Sequence, residues 1–546
     1  MKTTLLLIAF ATIYSTSSFS QAGTLDSSFG KNGKIKKILG AGSAIAVQSN
    51  GKIVVTSNSF LSGFSVVRYD QSGHIDHNFG VDGIVRAFSN GRATSVIVKP
   101  SGKIYAAGYA NENFAVAKFN HDGTPDNSFG NNGEVSTNFL GDFDDAFALL
   151  VQPDSKIIAA GVAYEPNGND ESRVALARYN TDGSLDSSFN FTGKVAKHVS
   201  VNGFDYCTSA ALQPDGKIIA AGYSHNTTTN DDYMLVRFKP NGKIDSSFGT
   251  NGVTFTDFGG YDDANGVALQ SDGKIVVVGY THDQDFISKI VIARYSDKGI
   301  LDKTFGTNGS VILDFNTNYA TGNAVTIQSD DKILIAAFVA YNENFTVLRF
   351  NKDGSRDNTF GKNGRAAFDV GTNSNANALA LQPDNKIVVT GEANNDIVVV
   401  RLNNDASTGN IIVDNSSLAS IKDISLNIQI FPNPVKDVLH VSGLTSAQTT
   451  ISIFNVEGKL MQRSVAVNRT TDLNIAQLPA GTYYLHVEEN VAAKPNNKKI
   501  SNIKFVKGIK ILCYKTWFSA CTYLFWNEDG AMRKNVFLTN KVLNTQ

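Results

Sequence analysis

One hexapeptide constrains this chain more than any other feature. Leu25–Gly30 reads LDSSFG, and the string returns as IDHNFG, PDNSFG, LDSSFN, IDSSFG, LDKTFG and RDNTFG, with phenylalanines at 29, 79, 129, 189, 248, 305 and 360. The copies stand 50 to 60 residues apart. Each therefore marks one supersecondary unit with loops of variable length. Two further strings run in phase. One begins as QSNGKIVV at Gln48 and places lysines at 52, 103, 156, 217, 274, 332 and 386. The other puts a cation before an aromatic residue, or before leucine in the last copy: Arg68, Lys118, Arg178, Arg237, Arg294, Arg349 and Arg401. A unit this short cannot bury its own apolar face, so the copies must stack.

Each unit holds four β-like runs. In the third they are Ala146–Gln152, Lys156–Val162, Arg173–Tyr179 and Gly193–Val199. Asp-Gly, Asn-Gly and Ser-Gly pairs supply the positive φ that tight hairpins need. The runs are apolar on both faces, which suits a small sheet covered on each side by a neighbour. Four antiparallel strands repeated seven times predict an all-β, seven-bladed β-propeller. The seventh unit, Ala376–Leu402, lacks a fourth strand, whereas Gly33–Ile38 near the start has no partners before it. The opening strand is therefore expected to close the ring and remove its exposed edge. An open solenoid would instead need polar caps at both ends, and the sequence has none.

Composition narrows the function classes. With 49 Lys plus Arg against 50 Asp plus Glu, the net charge is −1. No basic excess exists to drive nucleic-acid binding. Lys2, the apolar run Leu5–Ile13 and the small-x-small site ending at Ser20 before Gln21 read as a secretory signal peptide. No later run is long and uncharged enough to span a membrane, since Lys510 and Lys515 interrupt the last candidate. Of the three cysteines (207, 513 and 521) only Cys207 lies in the repeats, so no disulfide can staple the ring internally.

A residue present in every unit answers a need of every unit. The repeated aspartates, including Asp76, Asp186 and Asp302, are therefore expected to accept turn amides and to pair with the repeated cations, such as Arg178 and Arg294. The turns at Asn180–Asp186 and Asn351–Asp357 resemble oxygen-rich calcium loops. Ser72 and Asn241 replace the acid elsewhere, however, and no later bidentate carboxylate follows, so no cofactor or metal is expected there.

Variable sequence points instead to the opposite face of the ring. It receives the second turn of each blade and the crossovers GDFDD, GFDY and GGYDD. Asp142, Asp144, Asp145, Asp205, Tyr261, Asp262 and Asp263 are the candidate ligand-binding residues of that rim. Carboxylates beside aromatic rings suit a glycan, a cation or a basic protein patch. The histidines show no paired-ligand spacing and Cys207 no nucleophile motif, so no catalytic residue is singled out. The leading expectation is a binding or adhesion module. A polysaccharide hydrolase or lyase and a passive surface component are the alternatives.

After a polar stretch over 403–426, alternating strands with Asn-Pro, Glu-Gly and Ala-Gly turns predict a small β-sandwich of Ig-like type. The repeats resemble the delta-60 repeat family of secreted bacterial proteins across residues 25–402. Residues 427–507 closely resemble the C-terminal sorting domain of type IX secretion substrates from Bacteroidetes. That second likeness rests on Phe431 with Pro432, Asn433 and Pro434, on Asn455 with Gly458 and Lys459, on Leu478–Tyr483 including Gly481 and Tyr483, and on the basic strand Lys504–Lys507. It implies passage through the periplasm and outer membrane by the type IX machinery, then anchoring at the cell surface or release. The expected organisation is a signal peptide over 1–20, a propeller over 24–402, a linker over 403–426, the sorting domain over 427–507 and an atypical extension over 508–546.

Overall fold

The structure is a computed structural model. It describes residues 21–404 apart from 59–62, 142, 167–170, 201–202 and 341–344, and, further on, residues 429–431, 437–442, 449–455, 460–466, 470–479, 481–490, 498–507, 522–526 and 532–536. The chain divides into two units, 1–412 and 413–546.

The first unit is a ring of seven four-stranded antiparallel sheets. Blades 1 to 6 span 41–87, 91–137, 144–197, 205–256, 261–313 and 320–368. Blade 7 takes three strands from 375–402 and its fourth, Lys34–Lys37, from the start of the chain. Lys34 faces Val400 and Lys37 faces Ile397, which closes the ring as the unpaired seventh unit required. Backbone bonds extend the seam: Arg401 N–H donates to Gly33 O at 3.0 Å, and Asp26 N–H to Arg401 O at 2.8 Å.

Each first strand packs against the first strands of both neighbouring blades, so the seven first strands surround the ring axis. The apolar clusters are shared between blades rather than held within them. Val54, Phe64 and Phe79 of blade 1 pack with Ile104, Ala106 and Phe119 of blade 2. At the seam, Phe29, Ile53 and Val55 pack with Val388, Ile397 and Val399. All seven repeat phenylalanines are completely buried, each contributing roughly 1.5–3 kcal/mol.

A β-bulge interrupts the pairing of the first strand with the second in every blade, as between Ala146 and Ala148 or Cys207 and Ser209. In blades 3 and 4 the residue opposite is a glycine for a steric reason. A Cβ on Gly161 or Gly222 would stand 2.0 or 1.8 Å from the carbonyl oxygen of Asp145 or Tyr206. The bulge turns the start of the first strand relative to the rest of the sheet.

In the second unit, a three-stranded sheet (Gln429–Phe431, Val438–Ser442, Thr470–Asn474) and a four-stranded one (Leu460–Ala466, Thr449–Asn455, Gly481–Asn490, Lys498–Lys507) share one core. Leu439, Val441 and Leu473 meet Ile451, Ile453, Leu485 and Val487 there. Thr522–Trp526 and Met532–Val536 form a separate strand pair. Among the described residues no helix is long and apolar enough to cross a membrane.

Candidate functional site

A four-strand meander sends its first and third turns to one face of the ring, and its second turn and crossover to the other. The first face is built from the repeated strings. In blade 3, Asp186 Oδ2 lies 2.8 Å from Arg178 Nη2 and 2.7 Å from Lys156 Nζ. Arg178 also donates to the carbonyl of Pro240 in blade 4 at 2.6 Å and lies over the Phe189 ring. One guanidinium thus ties its own turn to the next blade. Asp76 meets Arg68 and Lys52, both at 2.7 Å, and Asp302 meets Arg294 and Lys274 at 2.9 and 3.0 Å.

The seam repeats the pattern with distant parts of the chain. Asp26 meets Arg401 at 2.8 Å and Lys386 at 3.0 Å, and Arg401 reaches on to the Gln71 carbonyl. Burial opposes ionisation of Asp26, but the Ser28 hydroxyl, Lys386 and Arg401 outweigh it and hold the carboxyl at about 2. In blade 4, Lys217 turns to Asp215 and only Arg237 meets Asp245.

The opposite face holds the rim candidates. Those among the described residues stand at the starts of first strands instead of in exposed crossovers, because those strands begin earlier than the apolar run suggests: at Asp144, Asp205 and Tyr261. Asp144, Asp205 and Asp262 are fully buried. Each accepts a crossover amide: from Phe139 at 2.8 Å, Val199 at 2.8 Å and Phe258 at 2.5 Å. These three carboxylates cap the passage from one blade to the next.

Asp145, also fully buried, pairs with Arg92 of blade 2 at 2.5 Å. Burial nevertheless pushes its carboxyl up to about 6, against the pull of Arg92. Asp263 accepts from the Tyr280 hydroxyl and is likewise raised by burial to about 6. Tyr261 stacks on His282, with centroids 4.8 Å apart and planes 7° from parallel. Asp142 and Ser20, with Pro432, Asn433, Pro434 and Gly458 of the sorting motif, lie outside the described residues. Gln21 donates to the Gly361 carbonyl at 2.9 Å. Gly481 and Lys507 sit opposite each other at the ends of paired strands, Lys504 faces Tyr484, and the Tyr483 hydroxyl donates to Pro479 O at 2.8 Å.

Around these carboxylates runs a chain of rings. Tyr109 stacks on Phe143 at 4.5 Å, Phe143 meets Tyr164 edge-on at 5.7 Å, Tyr164 meets Tyr206 at 5.8 Å, and Tyr206 stacks on Tyr223 at 4.8 Å. The arc joins blades 2, 3 and 4. A second group continues through blades 5 and 6, where Tyr280 stands between His282 and Tyr319. Phe204, Tyr206, Tyr223, His225 and Asp231 line a cavity of about 290 Å³, with His225 Nδ1 2.8 Å from Asp231 Oδ1. A smaller cavity of about 120 Å³ on the scaffold face is lined by Gln48, Lys52, Arg68 and their neighbours.

Sequence reasoning missed the arc, although a signal existed. The residue after the second-strand Gly or Ala is Tyr109, Tyr223, Tyr280 or Phe338 in four blades, and Val162 or Glu392 in two others. Cys207 is wholly buried, and burial pushes its thiol up to about 12, which keeps it unreactive at neutral pH.

Comparison with known proteins agrees with this architecture. Residues 429–502 match the family described as "Secretion system C-terminal sorting domain". Seven segments (48–79, 99–129, 152–189, 213–248, 270–305, 328–360 and 382–407) match the "Domain of unknown function (DUF5122) beta-propeller". No curated protein matches at a significant level. Among solved structures, PorZ, a surface component of the type-IX secretion system of Porphyromonas gingivalis, aligns at 14% identity and a TM-score of 0.39. That alignment covers 84% of this chain and 58% of PorZ, so the chain spans under two thirds of it. Virginiamycin B lyase from Staphylococcus aureus aligns at 11% identity and 0.44, over 68% of this chain and 98% of its own. A PL25 ulvan lyase aligns at 12% and 0.41, over 68% and 96%. Likenesses at this level carry no functional weight.

Proposed function

From a chain that carries seven β-propeller repeats and a type IX secretion C-terminal sorting domain, we infer an exported propeller that binds a glycan at the aromatic arc and is held at the cell surface by its sorting domain. The observation that carries the reading is the unbroken run Tyr109–Phe143–Tyr164–Tyr206–Tyr223 beside the 290 Å³ cavity. Flat rings offer apolar area at low entropic cost, and their hydroxyls supply polar contacts at the edge. Sugar rings present a matching surface of C–H faces and hydroxyl rims. His225 and Asp231 at the cavity wall add the few polar groups that fix orientation.

Affinity electrophoresis of the full chain in a panel of polysaccharide gels tests this. Retardation in at least one gel is expected, with about tenfold weaker binding, near 1.4 kcal/mol, for Tyr206→Ala or Tyr223→Ala. Equal mobility of wild type and both variants in every gel would sink the reading. An enzymatic alternative has one observation in its favour: Asp145 and Asp263 sit near pH 6, where a carboxylic acid can donate and accept a proton. Reducing-end or unsaturated-product assays on any retained polysaccharide, repeated with Asp145→Asn and Asp263→Asn, separate binding from turnover.

A further inference from the structure

The junction of blades 4 and 5 holds three carboxylates that no lysine, arginine or histidine among the described residues neutralises. Asp232 lies on the third strand of blade 4, Asp257 just after its fourth, and Asp262 on the first strand of blade 5. One oxygen from each lies within 4.8 Å of the others. Asp232 and Asp262 are buried, at 4% and 0% exposure, while Asp257 faces solvent.

Each spends one oxygen locally. Asp232 Oδ2 accepts from the Thr229 hydroxyl at 2.9 Å and from Asn226 Nδ2 at 3.4 Å. Asp257 Oδ1 accepts the Gly259 amide at 2.6 Å, and Asp262 Oδ2 the Phe258 amide. The remaining Oδ1 of Asp232 is buried without a hydrogen-bond partner, and the Thr281 hydroxyl is the further polar group beside the Asp262 carboxylate. Among the described residues no lysine, arginine or histidine pairs with any of the three, whereas the equally buried Asp145 has Arg92. Buried carboxylate oxygens left unpaired are costly, and a bound cation is one way to satisfy them.

We propose that Asp232, Asp257 and Asp262 hold one calcium ion that pins the crossover between blades 4 and 5. The donors are all oxygen, which favours a hard cation over zinc or copper. Calcium accepts six to eight oxygen ligands in flexible geometry, which suits three carboxylates completed by water, whereas magnesium demands a near-ideal octahedron. The open side at Asp257 leaves room for water ligands and an entry path. This site is separate from the glycan reading and does not need it.

The test uses full-length protein stripped with EGTA, followed by calorimetric titration and thermal melting in calcium or magnesium. Calcium is expected to bind one ion per chain with a Kd of roughly 0.1–1 mM, the range of extracellular modules, and to raise the Tm saturably. Magnesium should do less. Asp257→Asn, at an exposed position that leaves the fold intact, should weaken calcium binding at least tenfold, and Asp262→Asn should abolish it. Wild type with neither binding heat nor Tm shift up to about 10 mM calcium overturns the proposal. So does an unchanged calcium response in a folded Asp257→Asn variant.

Discussion

The two faces of the ring treat their carboxylates in opposite ways. On the face of first and third turns, each repeated aspartate meets at least one cation of its own blade, and Asp26 is held down at about 2. On the crossover face, burial raises the carboxyls of Asp145 and Asp263 to about 6. The same residue type stabilises one side of the molecule when ionised and strains the other. Repetition explains the first side, since every blade must be tied to the next. The second side varies between blades and carries strain that the fold does not require, which is where binding sites are commonly found.

The largest expected effect falls on the seam. Arg401→Ala takes from buried Asp26 one of its two cations, and losing one member of a buried pair costs about 3–5 kcal/mol. Arg178→Ala, in the middle of the ring, should cost a similar amount in chemical denaturation. Only Arg401→Ala should also open residues 21–38 to limited proteolysis, because strand pairing, the Phe29 packing and the Asp26 ion pairs hold those residues to the last blade with no direct chain connection. Equal protease resistance in both variants would remove the distinction between seam and interior.

A smaller effect separates the faces by pH. Asp26 has a folded value near 2, below the ordinary carboxylate value of about 3.9, so its contribution is present above pH 4 and is lost as pH falls towards 2. Asp145 has a folded value near 6, so stability is greatest below about pH 4 and is lost as pH rises through 6, by roughly 2–3 kcal/mol. Urea midpoints measured in EGTA from pH 3 to 8 should peak between about 4 and 5. Asp145→Asn should make the alkaline limb shallower, with Asp263 supplying part of the remainder, and leave the acid limb in place. A limb unaffected by that change would assign the loss to other groups.

The smallest effect belongs to the outer edge of the crossover face. Phe286 is 70% exposed although its ring lies 5.3 Å from His282. Phe286→Ala should change stability by no more than about 0.5 kcal/mol. If it nevertheless weakens polysaccharide retardation, the binding surface reaches blade 5.

Much of the fold was legible because the informative residues repeat. LDSSFG with its phased lysine and arginine showed blade number, strand count and closure, and the buried Phe29 and Phe360 match that reading. The candidate site was less legible. Asp144, Asp205 and Asp262 looked like loop acids because polar residues at the head of an apolar run resemble a turn. Their strands begin earlier, since a carboxylate that accepts the Phe139, Val199 or Phe258 amide can be buried at a strand start. The aromatic arc escaped notice because its successive members lie 17 to 42 residues apart and do not share one repeat position.

The sequence by itself determined how many sheets form, which strand completes the last one, and which repeated aspartates pair with the repeated cations. These are consequences of local periodicity and of a requirement that recurs seven times. Only the tertiary structure decided which side chains from different blades meet on the crossover face. The first-strand bulges turn them there, and the approach of one blade to another sets whether a carboxylate finds an amide, an arginine or no partner.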